Sequence, residues 1–423
     1  MRVKVPPHES TTAQIGAAYP FAASPPLGSR RVLVGQDLAG DPFAHDPFDL
    51  YANGTLTNPN LTVLGQIGRG KSALVKSYLY RQAAFGRQVA VLDPKGEYGP
   101  LARALGSESV ALSPGGGSRI NPLEGPAGDG RADSGRLSLL VALAGACLRR
   151  PLSPSEHAVV ELALRAATAR AAGSALGVPT LPAVVDALLR PSAESARSVA
   201  CTKAALEQDG RDVALELRRL VSGDLAGMFD GPTSASLSAS EGVLVLDLSA
   251  LYHSDALSAL MVCATAWLRA MTDRPGAKTI FVVDEAWALL GDISVARYLR
   301  ASWKLARASG VANVAVCHRA SDLGASGPAG SEGTRLAEGL LADSETIVCY
   351  AQSASEIPAL ARLLGCSEAE LAILPRLRRA VALWRVSGRS FLVEHVLADG
   401  ERNLVDTDGR MDGDRSIEPM HDR

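Results

Sequence analysis

The stretch "LTVLGQIGRGKSAL" (61–74) limits what this chain can fold into more than any other part of it. A short apolar run ends, glycines follow at 65, 68 and 70, and a stretch of helical character begins at 71. Gly65 and Gly70 are separated by four residues, and Lys71 and Ser72 come next, which matches G-x-x-x-x-G-K-[ST]. Placed between a strand and a helix, such a loop turns its backbone N–H groups inward on phosphate oxygens, and the helix adds its positive end. Side chains at the glycine positions would block that approach. The expected cradle is Gly65, Gln66, Ile67, Gly68, Arg69, Gly70, Lys71, Ser72 and Ala73. Lys71 would reach the β- and γ-phosphates of ATP, and the Ser72 hydroxyl would ligate Mg²⁺. The alternative is a plain glycine-rich turn.

Apolar strand candidates alternate with helices along much of the chain. "QVAVLD" (88–93), "SVALS" (109–113), "EGVLVLDLS" (241–249), "KTIFVVDE" (278–285), "VANVAVC" (311–317), "TIVCY" (346–350), "RAVALWRV" (379–386) and "SFLVEHV" (390–396) read as strands. Helices are expected at 71–85, 255–271 and 294–309. Such alternation implies an α/β fold with a mostly parallel sheet covered on both faces. Between about 130 and 240 the strand signals give way to Ala/Leu/Arg-rich helical stretches, which read as an inserted all-helical subdomain. The expected division is a flexible lead at 1–29, a first core part at 30–129, the insertion at 130–240, a second core part at 241–400 and a flexible tail at 401–423. Residues 30–60, rich in Gly, Pro and Asp, read as strands and turns.

A nucleotide loop needs an acid to place the metal and a group to activate water. "IFVVDEAW" (280–287) offers both: Asp284 at a strand tip for Mg²⁺, Glu285 to polarise the attacking water. An adjacent Asp–Glu pair favours hydrolysis of ATP over transfer to a small-molecule hydroxyl.

Composition narrows the rest. With 47% hydrophobic residues and 21% charged, the 423-residue chain suits a large packed core. A net charge of −2 gives no global field to draw in nucleic acid. The six cysteines show no CxxC spacing, which argues against zinc and a disulfide framework and fits a reducing cytoplasm. No apolar run approaches the roughly 18 residues of a membrane span, so membrane attachment is expected to go through a partner.

Four motifs in order, "VLDPKGEY" (91–98), "RINPLEG" (119–125), "TIFVVDEAWALL" (279–290) and "RASGVANVAVCHRASDL" (307–323), resemble the motor domain of the type IV secretion and conjugation ATPases, the VirB/TraC/TraE-like group of the HerA–FtsK superfamily. The resemblance covers about residues 30–400. It implies a RecA-like P-loop NTPase core with a helical insertion, a ring homo-oligomer, typically a hexamer, and ATP hydrolysis that energises assembly or transfer of DNA or protein. The setting it implies is the inner face of the cytoplasmic membrane, beside membrane-embedded secretion or conjugation components. It places Glu97 near the nucleotide pocket and offers Arg307 or Arg319 to a neighbouring subunit's site. His318 stands where the family has a glutamine that senses the γ-phosphate; a neutral imidazole can still donate one hydrogen bond there. Two further readings stay open: a HerA/FtsK-like DNA translocase, and an ATP-binding interaction module with little hydrolysis.

Other signals read as structural. His157 and His253 lack a second ligand at metal spacing, "PRLRR" (375–379) reads as a solvated basic face, and Trp267, Trp287, Trp303 and Trp384 read as core or interface.

Overall fold

The computed structural model describes residues 27, 32–38, 40–124, 130–174, 177–234, 237, 242–254, 256–272, 276–286, 292–319, 321 and 331–405, apart from the side chains of 130–132, 272, 302, 305–307, 333 and 337. The chain begins with β1 (Leu33–Asp37), β2 (Pro42–Ala44), α1 (Pro47–Ala52) and β3 (Leu61–Leu64). There follow α2 (Lys71–Ala84), β4 (Gln88–Asp93), α3 (Gly99–Ala104) and β5 (Ser109–Ala111). The helical block is α4 (Gly130–Leu148), α5 (Pro154–Ala172), α6 (Leu181–Leu189), α7 (Ala193–Ser198) and α8 (Lys203–Ser222). The second part holds β6 (Val243–Asp247), α9 (Leu257–Thr272), β7 (Thr279–Val283), α10 (Ile293–Leu305), β8 (Val311–Cys317), α11 (Glu332–Ala342) and β9 (Thr346–Cys349). It closes with α12 (Ile357–Leu364), α13 (Glu368–Ile373), β10 (Val381–Val386), β11 (Arg389–His395) and α14 (Arg402–Val405).

The strands form one 11-stranded sheet in the order β2-β1-β11-β10-β9-β3-β8-β7-β4-β6-β5. From β9 to β5 every pairing is parallel; from β9 outward through β10, β11, β1 and β2 every pairing is antiparallel. All residues of β3, β7 and β8 are buried, as expected of strands covered on both faces. Alternation along each strand divides the core in two. Val63, Val91, Val245, Val282 and Val316 face Leu74, Tyr78 and Leu79 of α2. Leu64, Leu92, Leu246, Val283 and Cys317 face the other way, into a core shared with α9 and the helical block.

The block docks through α4, which packs on α9 and α10. Asn121 of "INPL", almost fully buried, clamps the loop before it. Its N–H donates to Thr233 Oγ1 (3.0 Å), and its amide donates to the Pro179 carbonyl (3.0 Å). The motif is a strut between sheet and block. Within the block, α5 starts on a capping box of Ser153 and Glu156, with Pro154 in its first turn.

The antiparallel edge begins with the β10–β11 hairpin. Val386 pairs with Arg389 across Ser387 and Gly388, both at positive φ (49° and 77°), the two-residue turn that matches strand twist. Arg81 of α2 ties this edge down: its guanidinium donates to the carbonyls of Leu33 (2.6 Å) and Val396 (2.6 Å) and pairs with Glu401 (2.5 Å).

Several expectations need correction. Residues 30–60 contain the helix α1, whose N-cap Asp46 accepts the N–H groups of Phe48 (3.0 Å) and Asp49 (3.3 Å) ahead of Pro47. What read as turn punctuation is a helix start. The start of the tail expected to be flexible is packed instead: Glu401 and Leu404 are buried, held by Arg81 and by α14 against α2. Trp267, Trp303 and Trp384 are buried, while Trp287, the lead at 1–26 and the tail beyond 405 lie outside the described residues.

His45 joins three elements in the core beside β9. Its ring nitrogens contact Tyr78 Oη (2.9 Å) and Thr346 Oγ1 (3.1 Å), and burial lowers its pKa from the ordinary 6.5 to about 4. The unfolded chain therefore binds a proton between these values that the folded chain refuses, so stability falls as pH falls from 6.5 toward 4, by up to about 1.4 kcal/mol per pH unit from this group. Urea midpoints measured across that window should drop more steeply for the wild type than for His45→Gln; equal slopes would contradict the assignment.

Candidate functional site

Register places the chemistry. Leu64 at the end of β3 lies opposite Cys317 of β8, so Gly65 and His318 leave the sheet side by side. Val283 of β7 lies opposite Ala315 of β8 and Leu92 of β4. The turns after β3, β8, β7 and β4 therefore open on one edge, where a parallel α/β sheet gathers its functional groups.

The loop from β3 to α2 is shaped by its glycines. Gly68 and Gly70 have φ of 76° and 107°, a region L side chains rarely adopt, and Gly70 is the N-cap of α2. A Cβ on Gly65 would sit 2.5 Å from Tyr350 Cβ, so Tyr350, fully buried at the end of β9, presses directly on the loop. From the other side the Ala380 N–H donates to the Arg69 carbonyl (3.1 Å). "PRLRR" thus leads into a support for the loop, and within it Arg378 pairs with Glu394 (2.7 Å). Ile67, at the loop tip, is 79% exposed.

Lys71 opens α2 and is buried, with its ammonium donating to the carbonyls of Gly65 and Gln66, the latter at 3.0 Å. Burial lowers its pKa to about 8 against the upward pull of Asp284 and Glu285. Phosphate oxygens are stronger acceptors for this ammonium than backbone carbonyls.

Asp284 and Glu285 follow β7. Asp284 is buried; its Oδ2 accepts the Tyr98 hydroxyl (3.1 Å) and its Oδ1 the Glu285 N–H (2.9 Å). Burial and then the Glu285 charge push its pKa upward, the condition a nearby cation would relieve. Glu285 has φ of 54°, which costs a residue with a Cβ about 1–2 kcal/mol. Bonds on either side hold it there: its own N–H to Asp284, and the Ala286 N–H to the Val316 carbonyl (3.0 Å). The turn aims the buried Glu285 carboxylate at β8 and β4. His318 Nε2 is 2.6 Å from its Oε1, and Lys95 forms an ion pair with the same oxygen.

Lys95 belongs to "DPKGEY". Asp93 folds that turn by accepting the N–H groups of Lys95 (3.2 Å), Gly96 (2.9 Å) and Tyr98 (2.8 Å). Burial alone would lower the Lys95 pKa, but the hydrogen bond and charge of Glu285 hold it above the ordinary value. From this motif the resemblance places Glu97 near the nucleotide pocket. The structure instead pairs Glu97 with the fully buried Lys76 of α2 (3.8 Å), and Lys95 is the motif's residue at the acid pair. Arg319 is exposed one residue beyond His318, and the Arg307 side chain lies outside the described residues.

The donor set suits a nucleotide with Mg²⁺. Ser72 in the first turn of α2 and Asp284 at the strand tip are hard oxygen donors, and a Mg²⁺ shared with phosphates needs only one or two protein ligands. Among the described residues no group of three or more His, Cys, Asp and Glu could hold a metal alone, and none of the six cysteines is in a disulfide.

Fold and edge together define a RecA-like α/β domain with a glycine-rich loop between β3 and α2. No protein-family model matches this chain, and no curated protein does. Solved structures do. VirB4 of Thermoanaerobacter pseudethanolicus superposes with a TM-score of 0.71 at 24% identity, over 89% of this chain and 98% of that one. The bacterial conjugative coupling protein TrwB, in its unbound monoclinic form, gives 0.59 at 17% identity, over 88% and 89%. The plasmid coupling protein TrwB in complex with ADP and Mg²⁺ gives 0.59 at 17%, over 91% and 92%. The resemblance carried by the four motifs is thus matched in the fold.

Gly65→Ala must displace Tyr350 and is expected to lower stability by about 1–3 kcal/mol. Gly68→Ala meets no atom within 4 Å and should cost only its positive φ, about 1–2 kcal/mol. Urea midpoints of both variants check this; a Gly65→Ala protein as stable as wild type would mean that the loop does not rest on Tyr350.

Proposed function

We propose that this chain is a Mg²⁺-dependent ATPase motor of the type IV secretion and conjugation kind, working as a ring, typically a hexamer, at the inner face of the cytoplasmic membrane through membrane-embedded partners. The observation that carries the reading is the buried Asp284–Glu285 pair placed by register beside the Gly65–Ser72 loop. The fold shared with VirB4 and TrwB supports the motor class, and the complex of TrwB with ADP and Mg²⁺ supports the nucleotide.

In the proposed reaction the loop N–H groups from Gly65 to Ala73 cradle the phosphates, and Lys71 moves from its own loop carbonyls to the β- and γ-oxygens. Ser72 and Asp284 would hold Mg²⁺, which supplies charge neutralisation along the phosphate chain. Glu285 accepts the proton of the attacking water from a carboxylate already desolvated and aimed. His318 stands beside it as hydrogen-bond partner. Arg307 or Arg319 would approach the γ-phosphate of a neighbouring subunit. Subunit packing would change with turnover, and the assembly would pass that motion to a DNA or protein substrate.

One observation favours the module with little turnover: Glu285 is engaged by both Lys95 and His318. Steady-state ATP turnover with Mg²⁺ decides. Glu285→Gln is expected to bind ATP while its kcat falls about 100-fold or more. Equal turnover in variant and wild type would remove Glu285 from the chemistry, and binding without turnover in the wild type would favour the module.

A further inference from the structure

We propose that Lys95 is a shared cation, exchanged between the Glu285 carboxylate and the terminal phosphate of a bound nucleoside triphosphate, and that this exchange makes the site distinguish ATP from ADP and frees Glu285 only when a γ-phosphate is present. This rests on the nucleotide reading above and deepens it.

Three observations carry it. The first is position. Lys95 follows β4, whose Leu92 lies opposite Val283 of β7, so the lysine reaches the acid pair from the side away from β8. Its side chain is 27% exposed, against 1% for Glu285, so the lysine reaches solvent while the carboxylate it pairs with is closed off. The turn beneath is fixed by Asp93, whereas a lysine stem is long, jointed and ends in three rotatable donors. The ammonium can therefore move while the backbone does not. The Tyr252 ring, 6.0 Å from Nζ, offers an aromatic face along that side.

The second is charge. Lys71 and Lys95 together face Asp284 and Glu285, two cations against two acids, and each lysine lies within electrostatic reach of both carboxylates. A triphosphate brings its γ-phosphate charge into this balanced cluster, whereas a diphosphate does not. A mobile ammonium moves toward the denser negative charge.

The third is the histidine between them. His318 Nε2 lies 2.6 Å from Glu285 Oε1 and 3.1 Å from Lys95 Nζ. A neutral imidazole nitrogen either donates to the carboxylate or accepts from the ammonium, not both at once. Its Nδ1 is buried with no hydrogen-bond partner among the described residues, so nothing on the far side of the ring fixes the tautomer. At 2.6 Å from an ionised carboxylate oxygen Nε2 carries the proton, so the ring donates to Glu285 and keeps that bond when Lys95 leaves.

The test is the ratio of affinities for adenylyl-imidodiphosphate and ADP, each with Mg²⁺, measured by titration calorimetry on the full chain. Lys95→Met should lower the preference for the triphosphate analogue about tenfold, with ADP affinity within about twofold of wild type. Lys95→Arg should recover most of the preference. Glu285→Gln, which removes the competing negative charge, should raise it in the wild-type background and much less beside Lys95→Met. ADP binding serves as the control for folding. Equal weakening for both nucleotides, or an unchanged ratio, would reduce Lys95 to a fixed structural pair and overturn the exchange. Failure of the wild type to bind either nucleotide would overturn the nucleotide reading itself, an outcome distinct from loss of the ratio alone.

Discussion

The register of the parallel strands is the constraint on which the site depends. Leu64 opposite Cys317, Ala315 opposite Val283 and Val283 opposite Leu92 fix where four turns leave the sheet. A slip of one residue in any of these pairings would turn its side chains to the other face. It would carry Lys71, His318, Glu285 or Lys95 away from the others. Buried polar clamps guard against such slips. Asn60, fully buried just before β3, accepts both the backbone N–H (3.0 Å) and the side-chain amide (2.8 Å) of Asn313 in β8. A buried amide satisfied this fully specifies one alignment, because every alternative leaves polar groups unpaired.

Rigidity outside the loop allows movement within it. Tyr350 and Ala380 brace the loop from β9 and from the start of β10, and Arg81 ties the far end of α2 to the antiparallel edge. The antiparallel strands are thus more than an extension of the sheet: they hold both ends of the helix whose first turn carries Lys71 and Ser72. Against this frame the groups able to change partners are side chains with long stems, Lys71 and Lys95, beside the His318 ring with its one donor and one acceptor nitrogen. The backbone strain at Glu285 lies in the same small region, in line with the tendency of strained residues to gather where a group must be aimed.

Much of this was legible in the sequence, for identifiable reasons. The parallel strands announced themselves because strands buried on both faces are continuous apolar runs, and the glycine-rich loop before α2 because its glycines, lysine and serine come in a fixed spacing. The helix α1 was hidden because Asp46 and Pro47, its cap and first residue, are also turn residues. The packed start of the tail was hidden because Glu401 is held by Arg81, 320 positions away in sequence. The place of Lys95 is hidden for a related reason. Which charged residue of its motif meets Glu285 depends on the β4–β7 pairing and on the fold of the Asp93 turn, and neither is written in local composition. The acid of the same motif, Glu97, pairs with the buried Lys76 of α2, a contact that only the fold brings together.

The most direct measurement is a crystal structure with adenylyl-imidodiphosphate and Mg²⁺. The account predicts a nucleotide whose β- and γ-phosphates lie on the Gly65–Ser72 loop, with Lys71 moved off the Gly65 and Gln66 carbonyls onto the phosphates and the metal between Ser72 and Asp284. A loop still closed on Lys71, with the nucleotide bound elsewhere or not at all, would contradict it.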